Sequence, residues 1–166
     1  VRTTCEVTLH NGKPTRLTGI FQDITELKEI ELALVKSEAK QSEMISNISD
    51  VIAIINPQGV ITYKSSNIKN LFGWSSEELV GKSGFINIHE DDRERVQKGF
   101  ANLIENKKTK IAIEFKYKCM DGTYKMVHCT ASNLMKNPHI NGILLNYHDI
   151  SLQKETELSL KKSEEQ

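Results

Sequence analysis

Apolar and polar residues alternate in two short stretches near the start of the chain, as they do in half-buried β-strands. Residues 5–9 and 17–21 show this pattern, and turn-forming residues lie between them at 10–14. The pattern predicts a β-hairpin. Because two strands alone are only marginally stable in water, the hairpin either docks on another surface or is disordered in this chain.

A different pattern follows, in which apolar residues recur at alternating spacings of three and four. It predicts a long helix to about Asn47 and includes polar Ser37 and Gln41. The stripe is either the seam of a parallel dimer that passes a register or rotation change along the chain, or a face that packs on its own domain. Ser37 and Gln41 either weaken a coiled coil so that it can switch between two states, or mark a break between two helices. The predicted dimer seam comprises Leu27, Ile30, Leu34, Met44 and Ile48.

The beginning of this helix is repeated near the end of the chain. In both copies an acidic residue, an isoleucine and a hydroxyl residue precede a charged segment without Gly or Pro, which predicts a capped helix. In the first copy, Glu26 also suits a capping box. The two openings are Asp23, Ile24 and Thr25, and then Asp149, Ile150 and Ser151.

The unit between the two copies is about a hundred residues long, a common domain size. Its patterns predict strands at 51–56, 60–64 and 142–147, with a hairpin inside 110–133. Short helices are expected after Asn67 and after a capping box of Ser75 with Glu78, and a longer helix after Asp91 with Glu94. The expected fold class is α+β, an antiparallel sheet with helices covering one face.

Side-chain matching sets the register of the 110–133 hairpin. With a three-residue loop at 120–122, Phe115 faces Val127 and Ile113 faces Cys129, so the apolar partners share one face. A two-residue loop would place Phe115 opposite His128. We therefore predict the three-residue loop, with Gly122 in a left-handed conformation.

Composition excludes several function classes. The 166 residues include 22 basic and 22 acidic side chains, so the net charge gives no reason to expect binding to nucleic acid or an anionic membrane. No apolar run is long enough to span a membrane. The three cysteines lack the spacing of a zinc or dithiol site, so no metal is expected, and a reducing cytoplasm is the simplest setting.

Four motifs in order give the chain a specific family resemblance. They cover residues 67–82, 89–93, 118–127 and 149–151, and include Asn67 to Gly73, His89 to Arg93 and Asp121 with Gly122. The segment 46–151 resembles a PAS domain, whose fold has a five-stranded antiparallel sheet with short helices on one face.

The resemblance implies a particular domain organisation. Residues 1–22 resemble the last hairpin of a preceding PAS domain, 23–45 a helical connector, 46–149 the PAS domain and 150–166 a connector to a following domain. It further implies a cytoplasmic sensory or relay module of a sensor histidine kinase, diguanylate cyclase or similar regulator. Such a module acts as a homodimer beside further PAS or kinase transmitter domains, and signals pass through Asp23, Thr25, Asp149 and Ser151.

The residues depart from the cofactor-bearing branches of this family. Gly84 stands where the flavin-binding light-oxygen-voltage branch has its reactive Cys, the long helix at 93–106 has no His for haem iron, and no Cys occurs between Val51 and Lys118. No cofactor is therefore expected, although non-covalent flavin or an unknown small ligand remains open. No catalytic motif occurs either, so the module is expected to be regulatory and not an enzyme.

If a small ligand binds, the sheet pattern predicts where. The inward positions are mostly apolar, with tyrosine hydroxyls and one thiol, which suits a small uncharged ligand. The alternative is that these side chains simply fill a closed core. Ile86 and Ile143 are expected beside the predicted pocket residues, which are Ala53, Ile55, Phe85, Ile113, Phe115, Tyr117, Val127, Cys129, Leu145 and Tyr147.

Overall fold

The computed structural model describes residues 1–105 and 109–164. The chain forms two compact units, Val1–Met44 and Ile45–Gln166. The first unit contains the hairpin and most of the first helix, and the second contains the sheet.

The first unit begins with the hairpin that the alternating pattern predicts. Strand β1 (Arg2–His10) pairs antiparallel with β2 (Lys13–Gln22), and Val7 lies opposite Leu17. Every residue of both strands is exposed, and Phe21 is 75% exposed. The hairpin is therefore formed, but its apolar side chains are not covered within this unit.

Helix α1 (Thr25–Ser46) is continuous past the two polar positions of the predicted seam. The interpretation of Ser37 and Gln41 as a break between two helices is therefore wrong. None of the residues of α1 is buried. The exposed fractions of the predicted seam residues are 63% for Leu27, 60% for Ile30, 58% for Leu34, 61% for Met44 and 44% for Ile48.

The second unit has the predicted α+β architecture. Its sheet is antiparallel, with the strand order β4-β3-β7-β6-β5. The elements in chain order are β3 (Val51–Ile55), β4 (Ile61–Lys64), α2 (Ile68–Phe72), α3 (Ser76–Leu79), α4 (Glu90–Glu105), β5 (Lys110–Lys118), β6 (Tyr124–Leu134), β7 (Gly142–Asp149) and α5 (Ser151–Glu164).

The predicted hairpin register is confirmed. Phe115 pairs with Val127 and Ile113 with Cys129, and Gly122 has the left-handed φ of 86° that the loop requires. One face of β5 and β6 therefore contributes a row of buried side chains to the core.

A β-bulge in β4 breaks the alternation on which sequence reasoning relies. Ala53 pairs with Lys64 and Ile54 with Tyr63, but Ile55 pairs with Ile61, so Thr62 is the extra residue. Lys64 consequently faces the core together with Ile61, and only 7% of Lys64 is exposed.

The predicted helix cap at Asn67 is wrong. Asn67 has helical backbone angles and makes no side-chain cap bond. Its amide nitrogen instead donates to the carbonyl oxygens of Ile48 and Asp50, at 2.8 and 2.7 Å, and its amide oxygen accepts from the hydroxyl of Ser65 at 2.6 Å. Burial explains the difference, because these enclosed polar groups need internal partners.

The other two predicted caps differ in outcome. Ser75 and Glu78 form the expected capping box before α3. Helix α4 begins at Glu90, and His89 caps it: the His89 carbonyl oxygen accepts from the amides of Asp92 and Arg93. The predicted cap at Asp91 is therefore wrong, because the cap lies two residues earlier.

Substitution of the buried amide tests its structural role. We expect Asn67→Ala to lower the free energy of unfolding by about 2–4 kcal/mol, because the buried Ser65 hydroxyl and two part-buried carbonyl oxygens lose a partner. Asn70→Ala, which truncates an exposed amide in the same helix, is the control and should change little. Urea unfolding measures both, and equal values for the two variants would contradict the role assigned to Asn67.

Candidate functional site

A cavity of about 50 Å³ lies between the sheet and the helices of the second unit. Nine of the ten predicted pocket residues line it, namely Ala53, Ile55, Phe85, Ile113, Phe115, Tyr117, Cys129, Leu145 and Tyr147. Residues that sequence reasoning did not propose complete the lining, namely Ile61, Lys64, Gly84, Ile88, Val96, Phe100, Ile111 and Ala131.

Three expected pocket positions lie elsewhere. Val127 and Ile143 are fully buried in the core but do not line the cavity. Cys129, which lines the cavity, pairs with Tyr147. Val127 lies two residues before it on β6 and pairs with Asp149, the last residue of β7. Ile86 is 51% exposed, so it is not on the inward side at all.

Lys64 gives the cavity a buried cation. Its ammonium lies 4.8 Å from the ring centre of Tyr147 and 5.5 Å from that of Tyr117, a cation–π arrangement. Burial lowers the pKa of Lys64 to about 7, and the neighbouring Cys129 opposes this shift. No regular alternation could have revealed this residue, because the bulge at Thr62 turns it inward.

The aromatic rings at this end of the cavity form a cluster. Phe72 packs 5.0 Å from Tyr117 and 5.9 Å from Tyr147, measured between ring centres. The hydroxyl of Tyr117 accepts from the buried amide of Asn87 at 3.1 Å. The hydroxyl of Tyr147 is completely buried beside Tyr117, but it makes no hydrogen bond of ordinary geometry with the described residues.

The buried thiol is unsuited to nucleophilic chemistry. Burial raises the pKa of Cys129 to about 12, so this group stays a thiol at neutral pH. Cys119 is also buried, Cys5 is exposed, and all three cysteines are free. The thiol of Cys129 therefore contributes a weak polar group to the wall of the cavity.

The start of the exit helix α5 is hydrogen-bonded to Met126, near the start of β6. The Ile150 amide donates to the Met126 carbonyl oxygen at 2.8 Å, and the Met126 amide donates to the Ser151 hydroxyl at 3.0 Å. The Asp149 carboxylate accepts from the Ser151 amide at 2.9 Å. Burial raises the pKa of Asp149, but hydrogen bonds from Ser151 and Lys125 outweigh it and lower the pKa overall.

Lys125 connects this exit to the helical side of the core. Its ammonium lies 3.0 Å from a carboxylate oxygen of Asp149 and donates to the carbonyl oxygen of Leu71 at 2.9 Å. It also lies 5.4 Å from the ring centre of Phe72. Sequence reasoning missed Lys125, because its partners are distant in the chain.

The first copy of the repeat has a similar local turn. The Asp23 carboxylate accepts from the amide and hydroxyl of Thr25, at 2.9 and 2.6 Å, and these bonds lower the pKa of Asp23. The Asp23 carboxylate thus bonds to Thr25 in place of the Glu26 capping box that we predicted. In both copies the isoleucine carbonyl oxygen accepts the first helical hydrogen bond, from Lys28 in one and Lys154 in the other.

The described residues contain neither a cluster of metal ligands nor a helix suited to cross a membrane. Among residues 1–105 and 109–164, no three His, Cys, Asp or Glu side chains converge as metal ligands would. In the same ranges, none of the helices combines the length and apolar character needed to cross a membrane.

Comparison with known families identifies the fold. A sequence-family model for the PAS fold matches residues 40–150 of this chain. Three curated signalling proteins resemble parts of the chain. Sensor protein FixL of Bradyrhizobium diazoefficiens is 37% identical over 84 residues, which cover 51% of this chain and 17% of the relative.

The other two relatives match at lower identity. Sporulation kinase A of Bacillus subtilis is 26% identical over 144 residues, 86% of this chain and 23% of that kinase. The probable diguanylate cyclase DgcE of Escherichia coli is 29% identical over 70 residues, 42% of this chain and 6% of the relative. The chain thus spans less than a quarter of the length of each of these three relatives.

Solved structures support the same fold. A PAS domain from Colwellia psychrerythraea gives a TM-score of 0.59 at 21% identity and covers 71% of this chain and 98% of its own. The PAS domain of an HTR-like protein from Haloarcula marismortui gives 0.60 at 20% identity, covering 74% and 99%.

Replacement of the buried cation tests its electrostatic cost. The folded-state pKa of Lys64, about 7, lies below its ordinary value of 10.5, so the unfolded chain binds the proton more tightly. The contribution of Lys64 to the stability of the parent should therefore rise by a few kcal/mol between these two pH values. Lys64→Met should lose this rise and be more stable than the parent at pH 7.

Urea unfolding of parent and variant across that pH range provides the measurement. Lys82→Met, at an exposed position, should keep the parental pH dependence and serves as the control. A Lys64→Met variant whose stability still climbs in parallel with the parent would contradict the assignment.

Proposed function

We propose a signalling function for this chain, which belongs to the PAS family. It acts as a cytoplasmic relay module in a larger regulator, a sensor histidine kinase or a diguanylate cyclase. The names of the three relatives support this context, and the short share of each that the chain covers fits one module among several. Three free cysteines are compatible with a reducing compartment.

The contacts of Lys125 carry this proposal. One ammonium holds both the carboxylate that precedes α5 and a carbonyl oxygen at the end of α2. Phe72, which lies beneath the same ammonium, packs on Tyr117 and Tyr147 at the wall of the cavity. A change in the packing of these rings therefore has a short physical route to the start of the exit helix.

The contacts of α5 define what such a change alters. Besides the bonds to Met126, the helix is held by an ion pair of 2.9 Å between Lys154 and Glu114 on β5. Most of its other residues are exposed, among them Leu158 and Leu160 at 58% each. Losing the Lys125 contact releases one side of this attachment, so the direction or order of the helix can differ between two states.

The connector helices supply the output in this proposal. The exposed apolar stripe of α1 forms the seam of a homodimer, in which a change of helix register reaches the next domain. Residues 1–22, whose apolar side chains are uncovered, are the last hairpin of a preceding PAS domain. The connectors are 23–45 and 150–166, and the PAS domain between them spans 46–149.

A second candidate function is favoured by the cavity. Lys64 and the hydroxyl of Tyr147 are buried polar groups without hydrogen-bond partners in the described part of the chain. Such groups are costly in a closed core, whereas a bound molecule would satisfy them. In this alternative the module is a small-molecule sensor, and the relay transmits the occupancy of its cavity.

The relay is tested by removing the ammonium of Lys125. In Lys125→Met, we expect several-fold faster amide hydrogen exchange in the first turns of α5, because Asp149 loses its partner. Amides in the middle of β6 and β7 should keep their protection. Lys116→Met, at an exposed position on the same sheet, is the control. Unchanged exchange in α5 would rule out the connection through Lys125.

The dimer seam is tested by placing a charge within it. We expect Leu34→Asp to convert a dimer into a monomer in sedimentation velocity, because a carboxylate in an apolar seam is strongly disfavoured. Leu32→Asp is a matched control: Leu32 is 70% exposed and lies outside the predicted seam. Equal sedimentation of parent, Leu34→Asp and Leu32→Asp would rule out the seam.

A further inference from the structure

The ammonium of Lys64 lacks the partners that a buried cation needs. Within the described residues it forms neither an ion pair nor a hydrogen bond, and only two tyrosine rings face it. Ring faces replace part of the lost hydration, but a primary ammonium still has three N–H donors to satisfy. The site therefore lacks an acceptor, and a negatively charged one would suit it best.

The hydroxyl of Tyr147 adds a second unsatisfied donor at the same place. It is completely buried and makes no hydrogen bond of ordinary geometry with the described residues, and the hydroxyl of the neighbouring Tyr117 accepts from Asn87. Because the Lys64 ammonium lies only 4.8 Å from the centre of the Tyr147 ring, both donors can reach one small group. A lysine donor and a tyrosine donor on the same cavity wall suit the two oxygens of a carboxylate.

The remainder of the cavity is apolar. On β5 and β6, the pair Ile111 and Ala131 lies at the opposite end of the inward face from Tyr117. Phe100 and Leu145 also belong to the lining and bring no charge. A ligand that fits both ends carries its charge at one end and a short alkyl group at the other.

The size of the cavity limits the length of that alkyl group. A cavity needs about 10–15 Å³ to hold one water, so a cavity of about 50 Å³ holds roughly four water molecules or a ligand of about four or five non-hydrogen atoms. Flavin and haem are far larger than this. A dicarboxylate would place its second charge against apolar side chains, which is strongly disfavoured.

We propose that this cavity binds a short-chain monocarboxylate of two or three carbons, whose carboxylate accepts hydrogen bonds from Lys64 and Tyr147. Its alkyl end contacts the apolar lining near Ile111 and Ala131. The proposal rests on the second candidate function above and names its ligand class. It replaces the uncharged ligand that the sequence pattern suggested, because the buried lysine was not visible in that pattern.

Isothermal titration calorimetry with sodium propionate at constant ionic strength tests the proposal. We expect saturable binding of one propionate per chain, which is lost or at least tenfold weaker in Lys64→Met. Propionamide, which has nearly the same shape but no charge, should bind at least tenfold more weakly to the parent. Lys82→Met should bind propionate as the parent does.

Two further measurements keep the test decisive. Tyr147→Phe removes only one buried hydroxyl and should weaken propionate binding several-fold, so it serves if Lys64→Met does not fold. Sodium chloride at the same concentration reports on non-specific anion binding. Absence of binding, equal affinity for chloride or propionamide, or unchanged affinity in the folded variants would overturn the proposal.

The result of the propionate-binding test is independent of the result of the Lys125→Met test of the relay. Binding can fail while Lys125→Met still loosens α5, which would leave a relay without this ligand. Conversely, propionate can bind with the expected dependence on Lys64 while α5 is insensitive to Lys125, which would leave a sensor whose output takes another route.

Discussion

The antiparallel strands of the sheet share a register that places Val51 opposite Tyr147 and Ala53 opposite both Lys64 and Leu145. The same register sets Cys129 opposite Tyr147 and ends β7 at Asp149, beside the start of β6. Because side chains alternate across a strand, a shift by one residue would turn the entire cavity wall outward. The cavity and the exit helix thus depend on a single set of cross-strand pairs. This shared dependence explains why residues far apart in sequence form one connected site.

The local exception to this register carries an energetic cost. The extra residue Thr62 turns Lys64 inward, where burial disfavours the charged amine. A methionine or leucine would pack there without that cost. The chain instead keeps a lysine against two tyrosine rings, next to a hydroxyl without a hydrogen-bond partner among the described residues. A core that only had to fold would not need this arrangement, whereas the proposed binding site would use both groups.

Much of the fold was predictable because its signals are local or periodic. The register of β5 and β6 followed from matching apolar side chains, and Gly122 marked the turn. The family motifs likewise identified the PAS domain. In contrast, Asn67 resembled an ordinary helix cap, yet burial assigns it to carbonyl groups nearly twenty residues away. Such partners depend on tertiary packing and leave no periodic trace.

Some residues of the candidate site were likewise predictable from the sequence, and others were not. Strand alternation located eight of the cavity-lining side chains, since the core strands are regular there, and Phe85 was expected from the helical side. It could not locate Lys64, which a bulge redirects, or Lys125, whose contacts with Leu71 and Asp149 join three separate parts of the chain. The charged residues of the site, Lys64 and Lys125, are among those that sequence reasoning missed. Their positions reflect electrostatic needs that hydrophobic patterning does not encode.

The paired turns at Asp23 and Asp149 have an evolutionary consequence. Each contains bonds to the carboxylate from Thr25 or Ser151 within the turn itself, and each starts a helix from the isoleucine carbonyl oxygen. A gene segment that runs from one such turn to the next can be duplicated, deleted or exchanged without disturbing the hydrogen bonds at either boundary. Recombination can therefore lengthen or shorten an array of these domains while every junction remains able to start its helix.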